Sequence, residues 1–256
     1  MPTIKEIDKC LSQVAPSELS ENWDNDGLML CKNDESDVKK ILISLDITDN
    51  VIDYAVSGDF DLIITHHPFI FKPLSNITGD KYAQIEKLIK SDISILSYHT
   101  RMDSSDVGVN VCVAELLELK DVEAFGGDSG KIGRVGNLKC EMSPSEFAQY
   151  LKDKLGCGTI RASLADKKIR RCALVGGAGK SFLMEAKIAG ADAFVTSEGT
   201  HTTFMDAASF GVSFYDCGHY YTENPVCIKF KEILEGTFNN KLVLEVYNTG
   251  SPYINI

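Results

Sequence analysis

The sequence predicts an α/β protein made of two α/β domains, and three observations support this prediction. Short apolar segments alternate with amphipathic segments of helical spacing through both halves of the 256-residue chain. A glycine-rich stretch, Gly126–Gly130, separates the two series and marks the predicted domain boundary. The composition is 44% hydrophobic, which is sufficient for a core in each of two domains.

The first series opens with a helix and continues as alternating strands and helices. Thr3 and Glu6 form a predicted capping box, and this helix ends before Pro16. The polar stretch SENWDNDGLML is predicted to be a loop. The predicted strands that follow are KILISLDIT, DLIIT and ISILSYH. They alternate with the predicted helices DNVIDYAVS, YAQIEKLIK and VGVNVCVAELLEL. Such alternation is typical of β-α-β units.

The second series repeats the alternation after the glycine-rich stretch. A helix begins at Ser143–Glu146, because the segment combines a capping box with a proline in the first turn. Further predicted strands are TIRASL, RCALVGG, ADAFVTS and VSFYDCG, and further helices are FLMEAKIA and a segment near FMDAAS. The last helix begins at Asn224-Pro225, and LVLEVYN is a closing strand.

Composition excludes several classes of protein. The formal net charge of −11 is spread along the chain, and Lys and Arg are not clustered as a nucleic-acid groove requires. The N-terminal segment mixes charged and apolar residues, unlike a signal peptide, and no window resembles a membrane span. The eight cysteines lack the spacing of zinc ribbons or redox motifs, and Cys112, Cys172 and Cys227 read as core residues. We expect a cytoplasmic protein.

The histidines point to a functional site. Of the five, His66, His67, His99 and His219 follow predicted strands, and only His201 does not. In open α/β sheets, ligands and catalytic groups gather at the carboxyl ends of strands. A single histidine in such a position is more often a hydrogen-bonded structural residue, but four of them favour a shared site.

Carboxylates accompany these histidines at short range. Asp103 lies four residues after His99, and Glu223 lies four residues after His219, on the predicted entry loop of the last helix. Imidazole and carboxylate ligands suit zinc, iron or manganese. Adjacent residues of a regular strand face opposite ways, so His66 and His67 reach one site only where the strand has ended. Pro68 favours such an end, because proline cannot extend a strand ladder.

Two further motifs have a structural and a functional interpretation. GGAGKS, at residues 176–181, resembles a phosphate loop, but Leu174 stands where the Walker A pattern requires glycine. We therefore predict a glycine-rich turn between a strand and a helix. Trp23, the only tryptophan, is either a buried anchor with hydrogen-bonded neighbours or the edge of a substrate pocket, and we favour the anchor.

Five segments in this order and at this spacing resemble a known family. They are ENWDNDGL, ITHHPFIF, SYHTRMD, LVGGAG and CGHYYTE. They resemble the dinuclear-metal proteins called GTP cyclohydrolase 1 type 2 homologues, or Nif-three-like proteins, over essentially the whole chain. The resemblance implies two α/β domains with mixed sheets flanked by helices and a metal site at strand ends between them. The first domain would comprise residues 1–125 and 220–256, and the second would comprise residues 126–219.

The resemblance also implies roles for individual residues. The implied metal ligands, for two divalent ions of iron, zinc or manganese, are His66, His67, Asp103, His219 and Glu223, of which Asp103 and Glu223 are able to bridge the ions. His99 becomes a neighbour of the site, as a proton carrier or a residue that orients a ligand. The family usually has Thr-Gly-Asp followed by histidine, whereas this chain has TSEGTH at residues 196–201. Glu198 and His201 are therefore, with His99, candidate catalytic residues.

The implied function is hydrolysis by a dinuclear metal centre. The expected substrate is a nucleotide or a related small molecule, either through ring opening or as a phosphoester. The resemblance further implies a homohexamer, a trimer of dimers. The alternative is a non-catalytic, ring-shaped scaffold or a metal-handling protein. Five ligands shared by two ions leave open coordination positions, unlike a closed structural site, and this favours the enzyme.

Overall fold

The computed structural model describes residues 1–239 and 241–254, which form two compact units. Unit 1 comprises Met1–Met102 and Val226–Gly250, and unit 2 comprises Asp103–Pro225 with the described residues from Ser251 onward. The sequence-based division placed residues 103–125 in the first domain. They belong to unit 2 because a strand at Lys120–Phe125 pairs within the sheet of that unit.

Unit 1 contains a five-stranded mixed sheet with helices. Strands and helices are numbered along the whole chain. Its strands are β1 (Gly27–Leu30), β2 (Lys40–Ser44), β3 (Leu62–Thr65), β4 (Ser94–Ser97) and β11 (Val243–Tyr247). Its helices are α1 (Ile4–Val14), α2 (Asp49–Ser57), α3 (Gly79–Lys90), the start of α4 (Thr100–Ser104) and most of α10 (Pro225–Phe238). The strand order is β1-β4-β3-β2-β11, and only β1 runs antiparallel to its neighbour.

This strand order gathers several loops at one edge of the unit 1 sheet. β2, β3 and β4 are parallel neighbours, so the segments that leave them begin side by side. β1 is antiparallel to β4, with Gly27 opposite Ser97, so the segment that enters β1 reaches the same edge. Residues just before β1 therefore lie near residues just after β4.

Unit 2 contains a six-stranded mixed sheet. Its strands are β5 (Lys120–Phe125), β6 (Gly133–Met142), β7 (Arg161–Ser163), β8 (Ile169–Leu174), β9 (Ala193–Thr196) and β10 (Ser213–Asp216). Its helices are α5 (Val109–Leu116), α6 (Pro144–Leu155), α7 (Leu183–Ile188), α8 (His201–Phe210) and α9 (His219–Glu223). The strand order is β5-β6-β8-β9-β10-β7, in which β8, β9 and β10 are parallel. The sequence prediction of an α/β fold with mixed sheets is confirmed.

The core of unit 2 lies on both faces of its sheet. Cys172 and Leu174 of β8 pack in one cluster with Phe147 of α6, whereas Ala173 packs in a second cluster with Leu183 of α7. This alternation follows from the two-residue period of a strand, and it explains why the central strands read as continuous apolar runs. In unit 1, one buried cluster joins β2, β3 and β4 to α2 and α3.

Several local predictions can be compared directly with the structure. The capping boxes at Thr3 and Ser143 are both present. The core positions predicted for Cys112, Cys172 and Cys227 are buried. The stretch GGAGKS is a strand-to-helix turn with a short 3-10 segment, Gly179–Phe182, as predicted. Within the described residues, none of the helices combines the length and hydropathy that crossing a membrane requires.

The capping box of α6 gives a test of local stability. The Ser143 side chain accepts a hydrogen bond from the backbone N–H of Glu146, which would otherwise lack a partner at the helix start. We expect Ser143→Ala to lower the free energy of unfolding by about 1 kcal/mol, measured by urea denaturation. Ser145→Ala is the matched control, because Ser145 is exposed and does not cap the helix. An equal loss in both variants would contradict the capping role.

Candidate metal centre

Three histidines converge at the strand-end edge of unit 1. His66 and His67 follow β3, and His99 follows β4. The ring centroids of His66 and His67 are 5.0 Å apart, and that of His99 lies 5.3 Å and 5.7 Å from them. One ring nitrogen from each can be chosen so that all three lie within 4.8 Å of one another. We call these residues the histidine set. β3 ends before His66, as expected for two adjacent rings that reach one site.

Each ring in the histidine set is hydrogen-bonded through Nδ1 to a different oxygen atom. His66 donates from Nδ1 to the carbonyl of Tyr98 at 3.0 Å, and His67 pairs through Nδ1 with Asp46 Oδ1 at 2.7 Å. His99 pairs through Nδ1 with Asp24 Oδ1 at 2.7 Å. A hydrogen bond at Nδ1 fixes the tautomer and the ring orientation, and it leaves Nε2 as the nitrogen that could hold a metal ion. The three rings are therefore oriented as metal-binding histidines are.

Asp24 is the more buried of the two carboxylate partners, with a side chain that is 1% exposed, against 43% for Asp46. Its Oδ2 accepts hydrogen bonds from the backbone N–H and the hydroxyl of Thr100, at 3.0 Å and 2.5 Å. Burial raises the pKa of Asp24, but the hydrogen bonds from His99 and Thr100 outweigh it and hold the pKa at about 2. Asp24 is therefore a carboxylate at neutral pH, and it accepts the hydrogen bond from His99 Nδ1.

The favoured interpretation of Trp23 as a buried anchor is wrong. Its side chain is 61% exposed. The side chain of the adjacent Asp24 is buried, whereas the ring of Trp23 lies beside His99, with centroids 6.1 Å apart. The alternative, the edge of a substrate pocket, agrees better with this position.

Unit 2 contributes a second group of donors, which we call the carboxylate set: Asp103, His219 and Glu223. A carboxylate oxygen of Asp103 lies within 4.8 Å of one from Glu223, and both side chains are buried. His219 Nε2 lies 2.8 Å from Glu223 Oε2. These two residues lie on the short helix α9 rather than on a loop, and their spacing of four places them on one helical face.

The histidine of the carboxylate set, His219, is also hydrogen-bonded through Nδ1 to an oxygen atom. His219 pairs through Nδ1 with Glu198 Oε1 at 2.7 Å, which leaves Nε2, on the side of Glu223, as the nitrogen that could hold a metal ion. Glu198 follows β9 and has φ +58°, a conformation that is uncommon for residues other than glycine. The family resemblance made Glu198 a catalytic candidate, and the structure shows it as a residue that orients His219.

Gly177 provides the space that the carboxylate set occupies. A Cβ at this position would lie 1.9 Å from Glu223 Oε1 and 3.1 Å from His219 Nε2, and the backbone has φ +61°. The Gly177 carbonyl accepts hydrogen bonds from the Ser197 N–H and the Thr196 hydroxyl, which fix the turn. Glycine at position 177 therefore permits the close approach of the backbone to Glu223.

His201 stands apart from both donor sets. It is an exposed residue in the first turn of α8, and it belongs to none of the potential metal-binding groups found among the described residues. Glu198 also lines a cavity of about 330 Å³ in unit 2, together with Arg161, Asp216, Tyr221 and other residues. This cavity adjoins the carboxylate set through Glu198.

The donor chemistry fits a divalent cation. Two buried carboxylates this close repel each other unless a proton or a cation compensates their charge. Imidazole and carboxylate groups are ligands of zinc, iron and manganese. Two α/β units with oriented histidines and buried carboxylates at strand ends define a candidate metal-binding protein of the α/β class.

Comparison with known proteins identifies the family. Residues 2–251 match the family model for Duf34/NIF3 (NGG1p interacting factor 3), and the chain therefore belongs to that family. It is 36% identical over 237 residues to a Clostridium perfringens protein named GTP cyclohydrolase 1 type 2 homolog, with 90% of each chain covered.

Solved structures agree with this assignment. A structure described as reduced HcgD from Methanocaldococcus jannaschii is 30% identical, has a TM-score of 0.83, and matches over 96% of this chain and 97% of that one. A Bacillus cereus protein related to NIF3 has a TM-score of 0.89 over 100% of both chains. Because the two sequences are only 23% identical, this match shows a shared fold and nothing more.

The space at Gly177 gives a test of the candidate centre. We expect Gly177→Ala to reduce the metal content of the purified protein, because the added Cβ displaces Glu223. Gly211→Ala is the matched control, because Gly211 has φ +66° and nothing within 4 Å of an added Cβ. Both variants should lose about 1–2 kcal/mol of stability from backbone strain, and only the first should lose metal. Elemental analysis that finds equal metal in both would contradict this role of Gly177.

Proposed function

We propose that the protein is a metal-dependent hydrolase with two divalent ions, acting on a nucleotide or a related small molecule. The proposed ligands are His66, His67, Asp103, His219 and Glu223. The proposal rests on one feature that His66, His67 and His219 share: Nδ1 of each ring is hydrogen-bonded to an oxygen atom. The homohexameric ring implied by the family resemblance is part of the same proposal.

The chain supplies ligands of two chemical types. When bound, divalent ions supply Lewis-acid activation of water and of a substrate oxygen at neutral pH. Asp103 and Glu223 provide negative charge that offsets the ions, and their burial strengthens that interaction. Asp46, Glu198 and the Tyr98 carbonyl keep three rings in one tautomer, so that little reorganisation accompanies metal binding.

His99 is the proposed proton carrier. Its Nδ1 is hydrogen-bonded to the buried carboxylate of Asp24, so Nε2 is the ring nitrogen that accepts a proton in this role. Its ring lies against the rings of His66 and His67, next to the proposed ligands. His99 is thus placed to accept a proton from water and to donate it to a leaving group.

The proposed substrate class is inferred from the name of a relative and from the chemistry of hydrolysis. The Clostridium perfringens protein carries the name GTP cyclohydrolase 1 type 2 homolog, which suggests a nucleotide. The cavity of about 330 Å³ beside Glu198 is large enough for part of such a molecule. Its lining combines the carboxylates of Glu198 and Asp216 with the Arg161 guanidinium and tyrosine rings, which suits a polar ligand.

The proposal is tested by metal analysis combined with an activity screen. The protein is purified without chelators, its metals are counted by elemental analysis, and nucleotides and phosphoesters are screened with each metal restored. We expect two divalent ions per chain and hydrolysis that a chelator abolishes. A single ion in a closed tetrahedral site would contradict the dinuclear centre. Two bound ions without turnover of any substrate would favour the scaffold or metal-handling alternative.

Glu223→Gln tests the charge of the proposed centre. The variant keeps the size of the side chain but removes one negative charge, so we expect a lower metal content and weaker metal affinity with an unchanged fold. Glu185→Gln, which changes an exposed residue of the same unit, should keep the full metal content. Titration calorimetry of the metal-free proteins and circular dichroism provide the measurements. Unchanged stoichiometry and affinity in Glu223→Gln would argue against its role as a ligand.

His99→Ala separates proton transfer from metal binding. If His99 carries a proton, the variant should keep both ions and lose about 10²–10⁴ in turnover. If His99 instead positions or ligates the metal, metal and turnover should fall together. His201→Ala serves for comparison, because its exposed ring lies outside both donor sets. Full activity of His99→Ala with both ions bound would refute both roles and leave Glu198 or His201 as the catalytic candidate.

A further inference from the structure

Three rings form a group at the edge of the histidine set, and we call it the aromatic platform: Trp23, Phe71 and His99. The centroid of Trp23 lies 6.0 Å from that of Phe71 and 6.1 Å from that of His99. Phe71 and His99 are 6.0 Å apart. Each pair is close to perpendicular, at 70°, 76° and 86°. These are favourable edge-to-face contacts, so the platform has a defined shape.

Two large rings of the platform remain exposed. Trp23 is 61% exposed and Phe71 is 44% exposed. Large aromatic side chains are usually buried, and exposed aromatic groups next to polar ones often mark a binding site. Their position beside His99, rather than on a remote surface, connects them to the candidate centre.

The segment that carries Trp23 is held firmly on both sides of it. The Glu21 N–H donates to the Thr100 hydroxyl at 2.9 Å, and Asp24 accepts two hydrogen bonds from Thr100. Asp26 forms a buried ion pair with Arg101 at 3.2 Å. Trp23 is therefore exposed because its backbone is fixed in that position, and not because the segment lacks attachments.

The segment that carries Phe71 is tied to the same loop. The Asn25 side-chain amide donates a hydrogen bond to the carbonyl of Ile70. Phe69, two residues before Phe71, is buried in the core of unit 1. Both rings are thus positioned before any ligand arrives, which lowers the entropic cost of binding.

We propose that Trp23 and Phe71 recognise a flat aromatic ring of the substrate and hold it beside His99. This inference rests on the proposed function, because it assigns the substrate class of that same site. A flat ring stacks on an exposed indole face whatever its hydrogen-bonding groups are. His99 belongs to the platform and also contacts the other two imidazoles, so a molecule held on the platform lies next to the histidine set.

Trp23 itself reports on binding. It is the only tryptophan of the chain, so indole emission comes from the platform alone. Guanosine 5′-phosphate and adenosine 5′-phosphate are titrated into the purified protein, and ribose 5-phosphate serves as a probe with the same sugar and phosphate but no aromatic ring. We expect both nucleotides to quench and shift the emission saturably, and ribose 5-phosphate to leave it unchanged.

Variants then assign the effect to the platform. By calorimetry, Trp23→Ala should weaken nucleotide binding by about 5- to 150-fold, as expected for loss of one stacking partner. Trp23→Phe should retain part of the affinity, because a smaller ring still stacks. Tyr82→Ala is the control, because Tyr82 is a 52% exposed aromatic residue on α3 outside the platform. It should bind nucleotides as the unaltered chain does.

Three results would overturn the inference. They are equal affinity for ribose 5-phosphate and for the nucleotides, unchanged nucleotide affinity of Trp23→Ala, and a lower oligomeric mass of Trp23→Ala by light scattering. The last result would make the platform a contact between copies of the chain.

Metal analysis of the same samples separates this inference from the proposed function. Trp23 has no metal-binding group, so Trp23→Ala should keep the full metal content. If the ions and hydrolysis are present but ring binding does not depend on Trp23, only the inference fails. If the unaltered protein holds no ions, the proposed function fails whatever the binding data show.

Discussion

The candidate centre depends on one kind of interaction, the hydrogen bond between Nδ1 of a histidine ring and an oxygen atom, which occurs at each histidine of the two donor sets. A histidine ring can rotate and can carry its proton on either nitrogen, so a cluster of unrestrained rings has no defined ligand geometry. Here the acceptors are Asp24, Asp46, Glu198 and the Tyr98 carbonyl. Each acceptor lies on a segment that reaches the same sheet edge as its histidine. The sheet topology therefore fixes both the donors and the groups that orient them.

The sequence predicted much of this arrangement, because the carboxyl-end rule acts on local information. A buried strand followed by histidine can be recognised without knowing its neighbours. The positions of His66, His67, His99 and His219 after strands were therefore predicted correctly. The capping boxes at the helix starts were predictable for the same reason, since they involve residues three apart. The strands of the parallel groups were also found, because burial on both faces leaves a continuous apolar run.

Other features depend on contacts that single-sequence patterns do not contain. His99 pairs with Asp24, which is 75 positions away along the chain, and His67 pairs with Asp46, which is 21 positions away. The predicted strand KILISLDIT included Asp46, whereas β2 ends at Ser44, so Asp46 was not recognised as a residue of the strand-end edge. β5 and β6 were missed because β5 is largely exposed and carries no apolar run, so the glycine stretch between them read as a domain boundary. Trp23 was misjudged because burial is the usual state of tryptophan.

The pairing of β11 with β2 has a consequence for how the chain is made. Unit 1 takes β11, Val243–Tyr247, from a segment that follows Asp103–Pro225 of unit 2 in the sequence, and this strand pairs in parallel with Lys40–Ser44 of β2. During synthesis, Asp103–Pro225 emerges from the ribosome before that strand does, so unit 2 has most of its residues while β2, which pairs with β3 on one side, still lacks its second neighbour. In the interval β2 presents an open row of backbone donors and acceptors that another nascent chain can occupy. The interval lasts as long as the synthesis of Asp103–Pro225 and helix α10, because both precede β11 in the chain.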